Sequence, residues 1–412
     1  MDLRATDVFE KKFCATLASM SSYGPNYPGL SLDAKAKLRY KSHVTFFGLE
    51  VRRPQVFGGL LLLALAVGAV MTSRKTPLSP DEIQHLSRSV EITAPIKPEL
   101  RKDPVADSIL LYRVTRVFEP SFDQLQTGRY AAALLRWLPT LYRLPFLVFG
   151  LWLGGALWWV SRRLFNNEGG YVALALFCFS PLVILASSRI NPEIIAAWGL
   201  FGIVYTAIGV GHTLYSPPRR WPPRIVLLGL AFGFTAAAHL GAALLGAVLA
   251  IFFLLYLSPA DRKAAALAVF ATAWLVAFVF LLGCYGWNSS FSGLLAHAGE
   301  TLRPAMPRAG LFASWLQPVN LPTVALLLVS LSVFAGWKRT RYFGNWTPLL
   351  VIVLIVLLQF PGTSPVVWIA PFAYVFAGGI AADLLESKYR RSTQVVLLLL
   401  IGLQALLSFP LH

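Results

Sequence analysis

The stretch Ile225–Leu257, IVLLGLAFGFTAAAHLGAALLGAVLAIFFLLYL, carries no charged side chain over 33 residues. A bilayer-spanning helix needs about 20 predominantly apolar residues, so this run is too long for one ordinary span and nearly long enough for two. His239 and Gly241 stand at its middle, and two short helices, 224–239 and 240–257, are expected to meet there. Scanning outward for blocks bounded by charged, Gly or Pro positions adds 55–73, 142–160, 169–187, 192–211, 264–285, 319–337, 346–361, 365–383 and 393–410. The expectation is an all-α integral membrane protein with about eleven transmembrane helices. Composition excludes a soluble fold: the 412 residues are 56% hydrophobic and 13% charged, against about 25% charged in globular chains.

The net charge of +17 acquires its meaning from placement. Short cytoplasmic loops are enriched in Lys and Arg. Alternate connections here carry Arg162 and Arg163; Arg219, Arg220 and Arg224; Arg262 and Lys263; Lys338, Arg339 and Arg341; Lys388, Arg390 and Arg391. Fusing 225–257 into one span would put the later basic loops on the wrong side. The self-consistent topology is N-terminus inside and C-terminus outside, with residues 1–54 a basic cytoplasmic tail and 55–412 a polytopic membrane domain. The first span then reads as an anchor, and the positive charge as topology plus attraction to anionic membrane lipid, with no nucleic-acid partner. Cys14, Cys178 and Cys284 offer neither a disulfide framework nor a metal spacing.

Two external segments are long enough for chemistry, 74–141 and 286–318. Carboxylates cluster there: Asp81, Glu82, Glu91, Glu99, Asp103, Asp107, Glu119 and Asp123 all lie in the first. Its stretches 80–91 and 104–118 are amphipathic and suit helices lying on the membrane surface. The sequence Ser79-Pro80-Asp81-Glu82-Ile83-Gln84-His85 opens it. Ser79 as N-cap with Glu82 three positions later forms a capping box, which explains the motif structurally. The same geometry keeps a carboxylate ionised and sets Asp81 and His85 on one face, so Asp81 can serve as a base toward an acceptor hydroxyl or amine. A zinc-protease motif would need two His on the helix and a third ligand. Further candidates are Arg143 in Arg143-Leu144-Pro145, a snorkelling side chain or a ligand group, and Arg189 with Glu193 in the turn Ser187–Glu193, either a pair or a functional set. His239 at the helix junction is a neutral polar residue or a phosphate neighbour. Arg303 and Arg308, near His297 and Glu300, either face solvent or hold an anionic head group.

The ordered set of Asp81-Glu82 after the first span, a long amphipathic loop, Arg143-Leu144-Pro145 and the polar turn two spans later resembles the GT-C fold glycosyltransferases. It is similar to the aminoarabinose transferase of lipid A and to the protein O-mannosyltransferases, over roughly residues 55–260. The resemblance implies transfer of a sugar from a polyprenyl-phosphate carrier to a lipid, glycan or protein acceptor at the external face of a bacterial inner membrane. It maps the essential acidic residue onto Asp81, with Glu82 beside it, and a second acidic position onto Glu193, where Asp is more usual. His85, Arg143, Arg189, His239, Arg303 and Arg308 are then substrate-binding candidates. His239 replaces the Lys common at the junction, and the Lys/His-Pro-Pro segment of the first loop is absent. These motifs fix no cofactor; a carboxylate-bound Mg or Mn ion stays open. The alternatives are a transporter or flippase, which would put charge and helix breaks near the midplane, and a non-catalytic scaffold.

Overall fold

The computed structural model describes residues 43–46, 49–83, 86, 132–285, 315–358 and 365–408. The chain divides into two compact units, Met1–Phe57 and Gly58–His412. In the first, β1 (His43–Phe46) and β2 (Leu49–Arg52) pair antiparallel with Val44 opposite Val51, a pairing that suits β-branched and aromatic side chains.

The helices are α1 (Arg53–Lys75), α2 (Ala132–Cys178), α3 (Pro181–Ser187), α4 (Pro192–Thr213), α5 (Pro222–Ala238), α6 (Leu240–Leu257), α7 (Lys263–Tyr285), α8 (Leu321–Gly336), α9 (Phe343–Leu357), α10 (Pro365–Leu385) and α11 (Arg390–Ser408). Among the described residues, seven helical stretches are long and apolar enough to cross a membrane: Gln55–Lys75, Trp137–Cys178, Pro192–Thr213, Leu240–Leu257, Ala260–Cys284, Val366–Leu385 and Arg390–Ser408. Pro222–Ala238, Leu321–Gly336 and Phe343–Leu357 are shorter apolar helices.

The Trp137–Cys178 stretch is two antiparallel legs. Phe165 and Asn166 leave helical geometry, and Asn166 sits at φ 64°, a left-handed conformation that Asn tolerates better than most residues. Beyond it the chain folds back, so that Phe177 packs on Gly154 and Ser187 on Gly150. The returning leg is broken again where Pro181 follows Ser180. Proline removes a donor from a helix interior, and Ser180 instead accepts from the Val183 amide at 3.4 Å to start α3. The expected continuous span 169–187 is therefore interrupted. The leg expected to start at 142 begins at Ala132, because apolar residues such as Leu138 continue its buried side toward the loop.

The 225–257 run splits where the sequence implies. His239 alone is non-helical between α5 and α6, closing one and capping the other. Both helices pack on α4, with Thr235 at Gly199, Ile203 at Gly246 and Leu257 at Gly211. Since Arg224 at the start of α5 bonds the Gly209 carbonyl at 3.0 Å, the chain reverses direction at His239.

The basic connections gather at one end. Arg262 bonds the carbonyls of Leu214 and Ser216, Tyr256 stacks on Phe343, Tyr342 meets Phe165, and Arg390 lies 4.0 Å from Glu168. The turns at Ser188–Asn191 and His239 lie at the opposite end. At the centre stands α10, with 94% of its most apolar window buried within the protein, against 28% for α1 and 17% for α11. Its small residues Gly378 and Gly379 admit neighbours closely on two sides, Gly169 and Ala173 at the first and Phe165 and Asn345 at the second, the usual device where apolar side chains gain nothing by leaving lipid. A methyl group on Gly378 would meet the Gly169 carbonyl oxygen and the Ala173 methyl, both at 2.8 Å. Neither can rotate away. Gly378→Ala is expected to cost about 1–3 kcal/mol through overpacking, seen as a lower apparent melting temperature in detergent, whereas Gly402→Ala, with nothing within 4 Å, should leave it unchanged.

Candidate functional site

The site begins where α1 ends. The last carbonyls of a helix lack intrahelical donors, and here Arg143, reaching across from α2, supplies them. Its Nη1 donates to the carbonyls of Ser73 and Thr76, each at 2.9 Å, and to Thr76 Oγ1 at 3.2 Å, while Nη2 donates to the Pro77 carbonyl at 3.0 Å. The next residues make the expected capping box: the Glu82 amide donates to Ser79 Oγ at 3.2 Å, and the Ser79 amide returns to Glu82 Oε2 at 2.9 Å.

The Glu82 carboxylate does more than close that box. Arg143 grips it in a fork, Nε to Oε1 at 2.8 Å and Nη2 to Oε2 at 2.6 Å, and both side chains are buried. The amide of Ile190, in the turn between α3 and α4, donates to Oε1 at 2.9 Å. One carboxylate thus accepts four hydrogen bonds, and the N–H groups of Arg143 are spent within the protein. The pair carries a cation to the C-terminal end of α1 and an anion to the first turn of the next helix, both favoured by the helix dipoles. Burial alone would push the Glu82 carboxyl upward, but the hydrogen bonds from Arg143, Ser79 and Ile190 and the charge of Arg143 together hold it below its ordinary value.

Asp81 is the neighbour of this clamp and its opposite in exposure. Residues 80–83 are helical, and successive positions on a helix point about 100° apart, so burying Glu82 turns Asp81 outward. Asp81 is exposed and makes no hydrogen bond or ion pair among the described residues. Arg189, in the turn that Ile190 anchors, is likewise exposed and makes no ion pair among them; the structural Arg189–Glu193 pairing is not formed. Glu193 is buried in the first turn of α4, its amide capped by Asn191 Oδ1 at 2.9 Å. His239 Nδ1 accepts from the Ala242 amide at 3.4 Å, and its ring meets Trp368 edge-on, centroids 4.9 Å apart.

Of the residues picked out from sequence, Glu82, Arg143 and the 188–193 turn come together, with Asp81 and Arg189 at the rim. His239 lies against Trp368 instead. His85, Arg303 and Arg308, with most of the two amphipathic stretches, lie outside the described residues. No group of three or more His, Cys, Asp or Glu suited to a metal occurs among the described residues. Sequence reasoning missed the backbone partners, the carbonyls of Ser73, Thr76 and Pro77 and the amide of Ile190. Their only signal was indirect: an Arg in an apolar segment needs acceptors, and the carbonyls at the end of the preceding helix were unclaimed.

No family model and no curated protein matches the sequence. Among solved structures, the fold is similar to the oligosaccharyltransferase AglB from Archaeoglobus fulgidus in complex with an inhibitory peptide and a dolichol-phosphate, at TM-score 0.50 and 12% identity, covering 86% of this chain and 55% of that one. A structure of an Archaeoglobus fulgidus oligosaccharyltransferase with Zn and sulfate gives TM-score 0.47 and 14% identity, over 84% of this chain and 52% of that one. The chain spans about half the length of these proteins. It is an integral membrane protein with the helical GT-C fold.

Removing one partner of a buried ion pair typically costs about 3–5 kcal/mol, so Glu82→Gln is expected to lower the apparent melting temperature markedly. The pH dependence has a definite sign. Because the folded pKa of Glu82 is depressed, its contribution is complete above the unfolded-state value and is lost as pH falls through the folded one. Melting temperature against pH should therefore lose part of its acid limb in Glu82→Gln; an unchanged limb would mean the carboxylate is not held by Arg143.

Proposed function

We propose that the protein is a glycosyltransferase that moves a sugar from a polyprenyl-phosphate carrier to a lipid, glycan or protein acceptor. The observation that carries this reading is the exposed Asp81 beside a buried carboxylate–guanidinium clamp at the end of the bundle away from the basic loops. The GT-C fold supports it, and so does the dolichol-phosphate bound by the archaeal protein of similar fold.

In the proposed reaction Asp81 accepts the proton of the acceptor hydroxyl or amine as that group attacks the anomeric carbon. The bond from that carbon to the phosphate oxygen breaks, and the carrier phosphate leaves with the electron pair, which inverts the centre. Base catalysis of this kind contributes about 10²- to 10⁴-fold. Glu82 and Arg143 act by position, since their hydrogen-bonding groups are committed to one another and to the backbone. Arg189, with Arg303 and Arg308 from the second loop, would neutralise the departing phosphate. Glu193, His85 and His239 are assigned to the acceptor and donor pockets. A divalent cation would draw on Asp81 or Glu193, because the oxygens of Glu82 are engaged.

In the proposed topology the basic loops and residues 1–54 face the cytoplasm, eleven crossings follow, and the site opens on the external face of a bacterial inner membrane. The positive-inside rule supports this orientation.

The purified protein is to be incubated with radiolabelled polyprenyl-phosphate sugars, with and without chelator, and both hydrolysis and transfer followed. Asp81→Asn should lower turnover about 10²- to 10⁴-fold while leaving the melting temperature near that of the native protein. Undiminished turnover in Asp81→Asn would remove Asp81 as base. Movement of labelled lipid across vesicles without sugar transfer would replace the enzyme by a flippase.

A further inference from the structure

Beside the clamp, with Arg143 in its lining, a crevice opens between α1 and the first leg of α2. Its lining includes the hydroxyl-bearing Ser73, Thr140 and Ser187 and the apolar Val70, Leu144 and Leu147. All three hydroxyl-bearing residues are at least nine-tenths buried, and none of the three side-chain oxygens has a hydrogen-bond partner. An unsatisfied buried hydroxyl is costly. Ser and Thr in a helix commonly return their hydroxyl to a carbonyl one turn back, as Thr72 does to Gly68 and Thr76 does to Thr72. Three that do not, lining one crevice on three separate segments, imply an occupant.

Charge and size limit what it is. Arg143 lines the same crevice, but its donors are spent and its charge is matched by Glu82, so the site offers no surplus cation for a phosphate. The crevice has room for about one water-sized group. Its exposed side is apolar: Leu144, in the lining, is 44% exposed, as a surface against lipid tails would be.

We propose that this crevice binds a single neutral oxygen, the hydroxyl or ester carbonyl of a membrane lipid or else an ordered water, held by the hydroxyls of Ser73, Thr140 and Ser187. The bound group joins α1, α2 and the end of α3, next to the contacts by which Arg143 and Glu82 tie α1, α2 and the turn at Ile190 together. This inference does not depend on sugar transfer.

The test uses the full chain reconstituted in nanodiscs of phosphatidylethanolamine and phosphatidylglycerol, then extracted into mild detergent. Lipid retained per protein is counted by native mass spectrometry, and the apparent melting temperature is read in parallel. Thr140→Val and Ser187→Ala are compared with Ser161→Ala, which removes another buried, unpartnered hydroxyl outside the crevice, and Thr140→Ser restores the hydroxyl. If the oxygen belongs to a lipid, Thr140→Val and Ser187→Ala each lose one retained lipid, while Ser161→Ala and Thr140→Ser keep it. If it is water, lipid counts stay equal but the two crevice variants melt lower than Ser161→Ala, with Thr140→Ser again like the native chain. Unchanged lipid retention together with unchanged or raised melting temperatures in both crevice variants would overturn the proposal, because hydroxyls without a ligand are better replaced by methyl groups.

Discussion

A guanidinium can be buried only if each of its N–H groups finds an acceptor and its charge finds a counterion. Arg143 meets that condition by drawing in the carbonyls of Ser73, Thr76 and Pro77 and the carboxylate of Glu82. Much of the candidate site follows from this one demand. The end of α1 is capped, the chain beyond it is turned back toward α2, and the Ile190 amide completes the carboxylate's coordination from the turn before α4. Segments over a hundred residues apart in sequence are thereby held around one ion pair. Such pairs are weak contributors to net stability and strong contributors to geometry.

The geometry matters because of what stands next to it. In the proposed reaction a base carried on a flexible loop would lose orientational advantage each time the loop moved, and small displacements of a reacting group are expensive in rate. The capping box and the fork fix the first turn of the loop helix from inside, so the outward carboxylate is presented on a rigid support. The crevice with its three hydroxyls shares Arg143 with that support.

The architecture was largely legible in the sequence because its signals are solvent-driven. The split at His239 followed from a run too long for one span and too polar at its middle for uninterrupted helix. The gathering of the basic connections followed from the alternation of Lys and Arg. What escaped notice depended on partners with no sequence signature: backbone carbonyls accept hydrogen bonds whatever side chain they carry, so the acceptors of Arg143 at Ser73 and Pro77 were invisible. The burial of Glu82 beside an exposed Asp81 was likewise hidden, because adjacency in sequence does not say which side of a helical turn is buried. The break at Ser180 was written in Pro181, yet apolar periodicity on both sides outweighed it. The central position of α10 was also hidden, since a helix that is apolar all round looks the same whether it meets lipid or protein.

That central position sets an order of assembly. Nine of the labelled helices precede α10 in the chain, and chains are made from the N-terminus onward. When α2 and α4 have entered the bilayer, the helix that will fill the space between them does not yet exist. The small-residue surface around Gly169 and Ala173, shaped to receive Gly378, then meets lipid, or a transient substitute, until the last tenth or so of the chain is made. The bundle closes late, around a core delivered near the end of its own synthesis.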